Sequence, residues 1–389
     1  MSRSDFFFLV TVASLPIQLN KFFFNEYSYV LGLPIDYRAL SIYASDILIV
    51  IFLIVFFLEN RLRLNSFAIS LAIFNIFLFS SSILFSTSRD ASFIFNLKIL
   101  ILSIYSLAAA QTFSKKSIQK SFLSVLKLSL FWQGILVLAQ FLLQRSLNLQ
   151  FIGERAFDAT TPTIAHSQFF GTQFLRPYGT FPHPNVTAAF LSLSLIILAR
   201  KNNLYLLLPL LAVAVTFSRA AILVLIGALI ASTKKIEYFL LEIFLTAIAA
   251  FVLTRQLLES QLSSAAERIL LIQAALDIAL KNPLFGIGSN NFILELSKFD
   301  LTSLAETRLL QPVHNVFLLI ATENGIIGLL LFAAVLFVVA GSVNSKTKAI
   351  LFIALLIYAT VDHFLWTLHQ GRMLFFLTIA YITSHPQKN

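Results

Sequence analysis

From Ser66 to Phe85 twenty consecutive residues carry no charge, and similar apolar runs recur along the whole chain. A helix crosses a bilayer with roughly 20 apolar residues, fewer where the bilayer thins. Candidate spans lie near residues 6–20, 42–58, 66–85, 93–113, 121–144, 184–199, 203–217, 220–232, 236–253, 315–341, 348–365 and 371–384. With 58% apolar residues, 12% charged ones and a mean hydropathy of +0.86, the chain would expose more apolar surface in water than a monomer tolerates. The expectation is an all-α polytopic membrane protein of about 12 transmembrane helices, residues 1–389 forming one integral membrane domain. The start, Met1-Ser-Arg-Ser4 before an apolar run, shows no clear small-x-small cleavage site and is read as a retained first span.

The net charge of +10 could suggest nucleic acid, but its placement argues against it. Arg61 and Arg63, then Lys115, Lys116 and Lys120, then Arg200 and Lys201, Lys234 and Lys235, and Lys346 and Lys348 occupy alternate short loops, the pattern of the positive-inside rule. Dispersed cations make no nucleic-acid stripe. Both termini are therefore expected in the cytoplasm, and membrane lipids as neighbours. With zero cysteines, disulfides, thiolate nucleophiles and sulfur-bound zinc drop out.

The opposite face receives Lys21–Ser41, a first long loop over residues 145–183, a second over 254–313, and short turns at Ser86–Ser92, Ser218-Arg219 and Thr367–Gly371. Five of the six histidines, His166, His183, His314, His363 and His369, fall on or beside that outer face; His385 does not. Loop one holds Gly153, Pro162, Gly171, Pro177, Gly179, Pro182 and Pro184, a density that favours turns, and Pro184 suits a first helical turn. In loop two, Gln256 to Leu280 reads as helical, with Gln273, Asp277 and Lys281 on one face, and stops at Asn282-Pro-Leu-Phe-Gly-Ile-Gly288. This segment is either an amphipathic helix on the bilayer or one that also closes over a site.

Arg176, Arg219 and Arg268 are the cations best placed to hold phosphate oxygens, since a guanidinium stays charged and its planar fork matches them. Arg219 interrupts an apolar hairpin in Thr216-Phe-Ser-Arg-Ala220; an arginine snorkelling to headgroups is the competing reading. His314 begins a span in Gln311-Pro-Val-His-Asn315. A neutral imidazole near its ordinary pKa of about 6.5 can take a proton from a hydroxyl, and a histidine that merely bonds the helix start fits the residues equally. Glu323 and Asn324, before Gly325 and Gly328, read as buried polar contacts or a kink. Metal ligation finds no Asp-x-Asp or His-x-x-x-His in the outer loops, and serine hydrolysis finds no Gly-x-Ser-x-Gly.

At these residues the chain resembles the O-antigen ligase family, which includes related polysaccharide polymerases and protein O-oligosaccharyltransferases. The resemblance rests on Arg176-Pro-Tyr-Gly-Thr-Phe-Pro-His-Pro-Asn185, on Thr216-Phe-Ser-Arg-Ala220, on Arg268 with Asn282-Pro-Leu-Phe-Gly-Ile-Gly288, and on His314-Asn315 with Glu323-Asn-Gly325. It covers residues 170–340. It implies a membrane-embedded glycosyltransferase that needs no metal and no cofactor and takes glycan from an undecaprenyl-pyrophosphate donor at the periplasmic face of a bacterial inner membrane. It further implies that Arg176, Arg219 and Arg268 hold the pyrophosphate and that His314 activates the acceptor hydroxyl. Gly179, His183, Asn185, Ser218, Pro283, Gly286, Gly288, Asn315, Glu323 and Gly325 would support them. The acceptor would be lipid A-core or another glycan or a protein. A polymerase extending carrier-linked chains is the alternative within this chemistry; a lipid-linked glycan transporter is the alternative outside it.

Overall fold

The computed structural model describes residues 1–169, 171–199, 206–232, 262–299 and 310–385. They are mostly helical: α1 Arg3–Ser14, α2 Ala44–Glu59, α3 Ser66–Phe85, α4 Arg89–Phe113, α5 Lys116–Leu143, α6 Pro184–Leu198, α7 Leu207–Val215, α8 Arg219–Ser232, α9 Leu262–Lys281, α10 Phe292–Leu296, α11 Val316–Gly341, α12 Lys346–Val361, α13 Phe364–Thr367 and α14 His369–Thr383. Among the described residues α3, α4, α5 and α11 are long and apolar enough to cross a membrane. Others are short: the 12 residues of α1 rise only about 18 Å against a hydrocarbon core of roughly 30 Å. The described residues are thus mostly helical, as in a membrane protein, with four span candidates where about twelve were expected, and the expected segment 236–253 lies outside the described residues.

Local chemistry fixes the helix ends. Ser2 and Asp5 form a reciprocal capping box at α1, and Asn65, Asn315 and Ser345 accept backbone N–H bonds at the starts of α3, α11 and α12. Between the apolar helices a few buried amides and hydroxyls act as polar ties, because an unpaired polar group in hydrocarbon is costly. Asn75 on α3 donates to Ser103 on α4 at 3.0 Å, Asn96 on α4 donates to Ser82 on α3 at 2.9 Å, and Thr11 meets Tyr105 at 2.9 Å.

Two ends of the bundle are defined by contacts. At one, Ser4 N donates to Glu59, Lys115 pairs with Asp5 at 2.7 Å, and Lys348 donates to the Ser384 carbonyl, so both described termini lie there with the basic turns. The other end gathers the long loops. Three small antiparallel pairs decorate it: β1 Asn20–Phe23 with β4 Leu40–Tyr43, β2 Tyr29–Val30 with β3 Leu33–Pro34, and β5 His166–Phe169 with β6 Thr172–Leu175. The hairpin of β5 and β6 lies in the loop whose proline and glycine density favours turns. It folds because Leu175 buries against Phe157, Ile164 and Tyr178, a small satellite core away from the helices.

Helix α9 covers the residues expected to be helical from 262 onward; positions 256–261 fall outside the description. Leu271, Ala274, Ala275 and Ile278 are buried at helical spacing, whereas Gln273, Asp277 and Lys281 are exposed. Thr322 Oγ1 donates to the Ala275 carbonyl at 3.2 Å, which ties α9 to α11.

Candidate functional site

The loop from Arg176 to Asn185 takes its shape from α5. Gln133 and Gln140, two helical turns apart on one face and both fully buried, reach into it. Gln140 Oε1 accepts from the Tyr178 and Gly179 amides at 3.0 and 2.7 Å, while its Nε2 donates to Glu154 at 2.7 Å and the Gly179 carbonyl at 2.9 Å. Gln133 donates to Thr180 Oγ1 at 2.6 Å. Gly179 sits at φ 58°, where a Cβ would meet the Gln133 side chain. Held in this way, the loop delivers Arg176 and then caps α6 with His183, whose Nδ1 accepts from the Asn185 amide at 3.1 Å.

Arg176 Nε donates to the Thr216 carbonyl at 2.8 Å, joining the loop to the turn before Ser218 and Arg219. Ser218 is buried there and its carbonyl accepts the first bond of α8 from Ile222; Arg219 beside it is exposed. Arg176 Nη2 donates to Asn185 Oδ1 at 2.7 Å, and Asn185 Nδ2 donates to Asp362 Oδ2 at 2.7 Å. Asp362 Oδ1 in turn accepts from the His363 amide at 2.7 Å. The His363 ring lies 5.0 Å from that of His314, edge on, and 5.6 Å from that of Tyr37. His314, just before the Asn315 cap of α11, keeps a buried Nδ1 with no hydrogen-bond partner.

The charges converge although the segments are distant in sequence. Arg219 and Arg268 both lower the pKa of Arg176, Arg268 lowers that of Arg219, and Arg268 also acts on His314, His183 and His363. Burial, the largest cause, and these cations bring Arg176 down to about 10, so it stays charged at neutral pH. Burial likewise lowers His314 below its ordinary value, opposed by Asp362 and helped by Arg268, and takes His183 to about 4 and His363 to about 3. Burial works against the charge of Asp362, but His363, His314 and His183 and the Asn185 amide hold its carboxyl well below the usual carboxylate range. At neutral pH the Asp362 carboxyl is therefore ionised and the His183, His314 and His363 imidazoles are neutral.

The ligand atoms of His314, Asp362 and His363 lie within 4.8 Å of one another, a spacing that could admit a cation. Two of the three residues are engaged elsewhere, while His314 Nδ1 is free. Both Asp362 oxygens already accept hydrogen bonds, and His363 Nδ1 is held by the Thr367 hydroxyl at 2.6 Å. The nearby guanidiniums add repulsion toward a dication.

A second assembly stands beside this one. The loop Asn282–Gly288 docks on the middle of α11, where Gly325 breaks the helix at φ 66° and ψ −174°. Gly288 N donates to the Glu323 carbonyl at 2.7 Å, and Ile326 N donates to the Pro283 carbonyl at 2.8 Å. A Cβ on Gly286 would meet the backbone of Glu323, and one on Gly325 the backbone of Leu284 and Phe285. Gly288 packs on Ser86, and Glu323 Oε1 accepts from the Phe292 amide at 3.1 Å. Pro283, Gly286, Gly288, Glu323 and Gly325 thus build a backbone corner, while Arg176, Arg219, Arg268, His183, Asn185 and His314 belong to the charged cluster.

Two members of the cluster, Asp362 and His363, had no role in the expectations drawn from sequence. His363 figured only as one of the outer-face histidines. The signal was present: an Asp-His pair closing an apolar run is expensive unless partnered.

Residues 188–333 match the family model described as O-antigen ligase. A search of the curated proteins found no match to the chain. The family match supports an O-antigen ligase family assignment and, generally, a function of the O-antigen ligase or polymerase type on lipid-linked glycan and an acceptor. Arg219, Arg268 and His314 fall inside the matched stretch; Arg176, Asp362 and His363 lie on either side of it.

Proposed function

Proceeding from the O-antigen ligase assignment of residues 188–333, we propose that the chain transfers glycan from an undecaprenyl-pyrophosphate donor to an acceptor hydroxyl, with inversion and without a metal, at the outer face of a bacterial inner membrane. The observation that carries this reading is the convergence of Arg176, Arg219 and Arg268, from three separate segments, beside a neutral His314 with an unengaged nitrogen. The loop end of the bundle faces the periplasm in this reading, and both termini the cytoplasm, in keeping with the basic turns beside them.

The polyprenyl tail lies among the helices, and its pyrophosphate reaches the arginines. His314 takes the proton of the acceptor hydroxyl as that oxygen bonds the anomeric carbon. The bond from that carbon to the phosphate oxygen breaks, and the arginines stabilise the departing pyrophosphate, the largest expected contribution. Asp362 favours the imidazolium that forms on His314 and so assists proton uptake.

Purified protein with a synthetic lipid-linked donor tests both roles. His314→Ala should lower turnover by about 10²–10⁴-fold with donor binding intact; unchanged turnover ends the general-base role. Arg268→Ala should weaken donor binding by roughly tenfold or more, the loss of one charge-assisted bond. Normal binding would remove Arg268 from the pyrophosphate site. Analysis of the product separates a ligase, which moves the glycan to a new acceptor, from a polymerase, which lengthens the carrier-bound chain.

A further inference from the structure

Beyond the arginine and histidine cluster, the loop end of the bundle encloses a cavity of about 600 Å³, within the range of small-molecule sites. Tyr37 and Pro182 contribute to its wall. Tyr37 packs its ring edge on His363, which in turn meets His314, so two ring contacts separate the cavity from the proposed base.

The cavity's charges are unevenly satisfied. Arg38, Lys98, Arg155 and Arg372 line it against Asp36 and Glu154. Glu154 is engaged by the Leu147 and Leu149 amides at 2.8 and 2.6 Å and by Gln140. Arg38 donates to the Tyr27 and Asn290 carbonyls and to Asn291. Lys98 bonds Ser41 and stands 3.6 Å from Asp46. That same carboxylate also faces His369 at 3.5 Å and accepts from the Tyr43 amide.

Arg372 shares the Asp46 carboxylate too, but only through space. It is 5% exposed, its Nε is buried without a partner, and among the described residues no hydrogen bond reaches its guanidinium, which lies 5.2 Å from the Phe95 ring. A buried, hydrogen-bond-starved cation on the wall of a polar cavity calls for an anion.

We infer that this cavity binds an anionic sugar, one bearing a carboxylate or phosphate that Arg372 and Lys98 hold while the remaining polar wall takes its hydroxyls. Its use as the acceptor subsite rests on the transfer reading above; its binding chemistry does not.

Calorimetric titration of the full-length protein in nanodiscs of zwitterionic lipid tests it, with glucose 6-phosphate and glucuronate as probes and glucose and inorganic phosphate as controls. Both anionic sugars should bind, glucose should not, and phosphate should bind about tenfold more weakly for want of hydroxyl contacts. Arg372→Gln and Lys98→Gln should each weaken sugar binding by about tenfold or more. Should Arg372→Gln fail to fold, Lys98→Gln and Arg372→Lys carry the test.

The inference is overturned if neither anionic sugar binds, if phosphate binds as tightly as they do, or if the variants bind like the parent. It is also overturned if anionic phosphatidylglycerol in the nanodisc displaces the sugar, which would make the cavity a lipid headgroup site. His314→Ala and Arg176→Gln should keep sugar binding. Loss of sugar binding with His314 still essential sinks the subsite alone, and retained binding with a dispensable His314 sinks the transfer mechanism alone.

Discussion

The loop from Arg176 to Asn185 and the corner where Asn282–Gly288 docks on α11 are fixed by opposite means. The loop is shaped by side chains from elsewhere: Gln133 and Gln140 of α5 satisfy its amides and hydroxyl, which leaves Arg176, His183 and Asn185 to face the charged cluster. The corner is shaped by missing side chains, since backbone meets backbone at Gly288, Glu323, Pro283 and Ile326 with no room for a Cβ at Gly286 or Gly325. Of two adjoining motif regions, one presents charged and titratable side chains and the other sets backbone geometry.

The sharpest way to break this distinction is at the corner. Gly325→Ala places a Cβ at φ 66° and ψ −174°, a region open essentially to glycine, and should cost about 3 kcal/mol or more in stability. Thermal unfolding in detergent measures it, and a melt equal to the parent's would show that the corner yields. In the charged cluster the expected effect is on rate and pH rather than folding. His314 has a folded pKa below its ordinary 6.5, so it is neutral above that value and gains its proton only as pH falls further. Transfer should therefore fall on acidification with a midpoint below 6.5. Asp362 raises the His314 pKa, so Asp362→Asn should move that limb to still lower pH, and an unmoved limb would disconnect the two residues. At the small end, Lys298 is 59% exposed and pairs with Glu295 three residues away; Lys298→Ala should change stability by no more than about 0.5 kcal/mol and leave transfer untouched.

Much of this was legible in the sequence because charge is rare in it. In an apolar chain an arginine outside a basic turn stands out, and Arg176, Arg219 and Arg268 were singled out because they fall in the segments that carry the resemblance, whereas Arg372 was passed over. Asp362 and His363 were not, because the apolar Phe364, Leu365 and Trp366 beyond them extended the apparent span to residue 365. The helix in fact ends at Val361, and those three residues are the buried part of the separate turn α13. Gln133 and Gln140 were hidden by averaging, since two amides in a 28-residue helix scarcely alter its hydropathy. Their partners lie about forty residues onward, and no periodicity reports a partner at that separation. The small hairpin in loop one escaped because proline and glycine density describes where a chain turns, not which four residues pair between the turns.

Asn185 stands between Arg176 and Asp362, its oxygen toward one and its nitrogen toward the other. A direct ion pair would have cancelled the guanidinium against the carboxylate. An amide spacer transmits orientation without neutralising either partner, so Arg176 keeps its charge and is held in a fixed pose. Cation and anion can thus sit close together in this protein without cancelling each other.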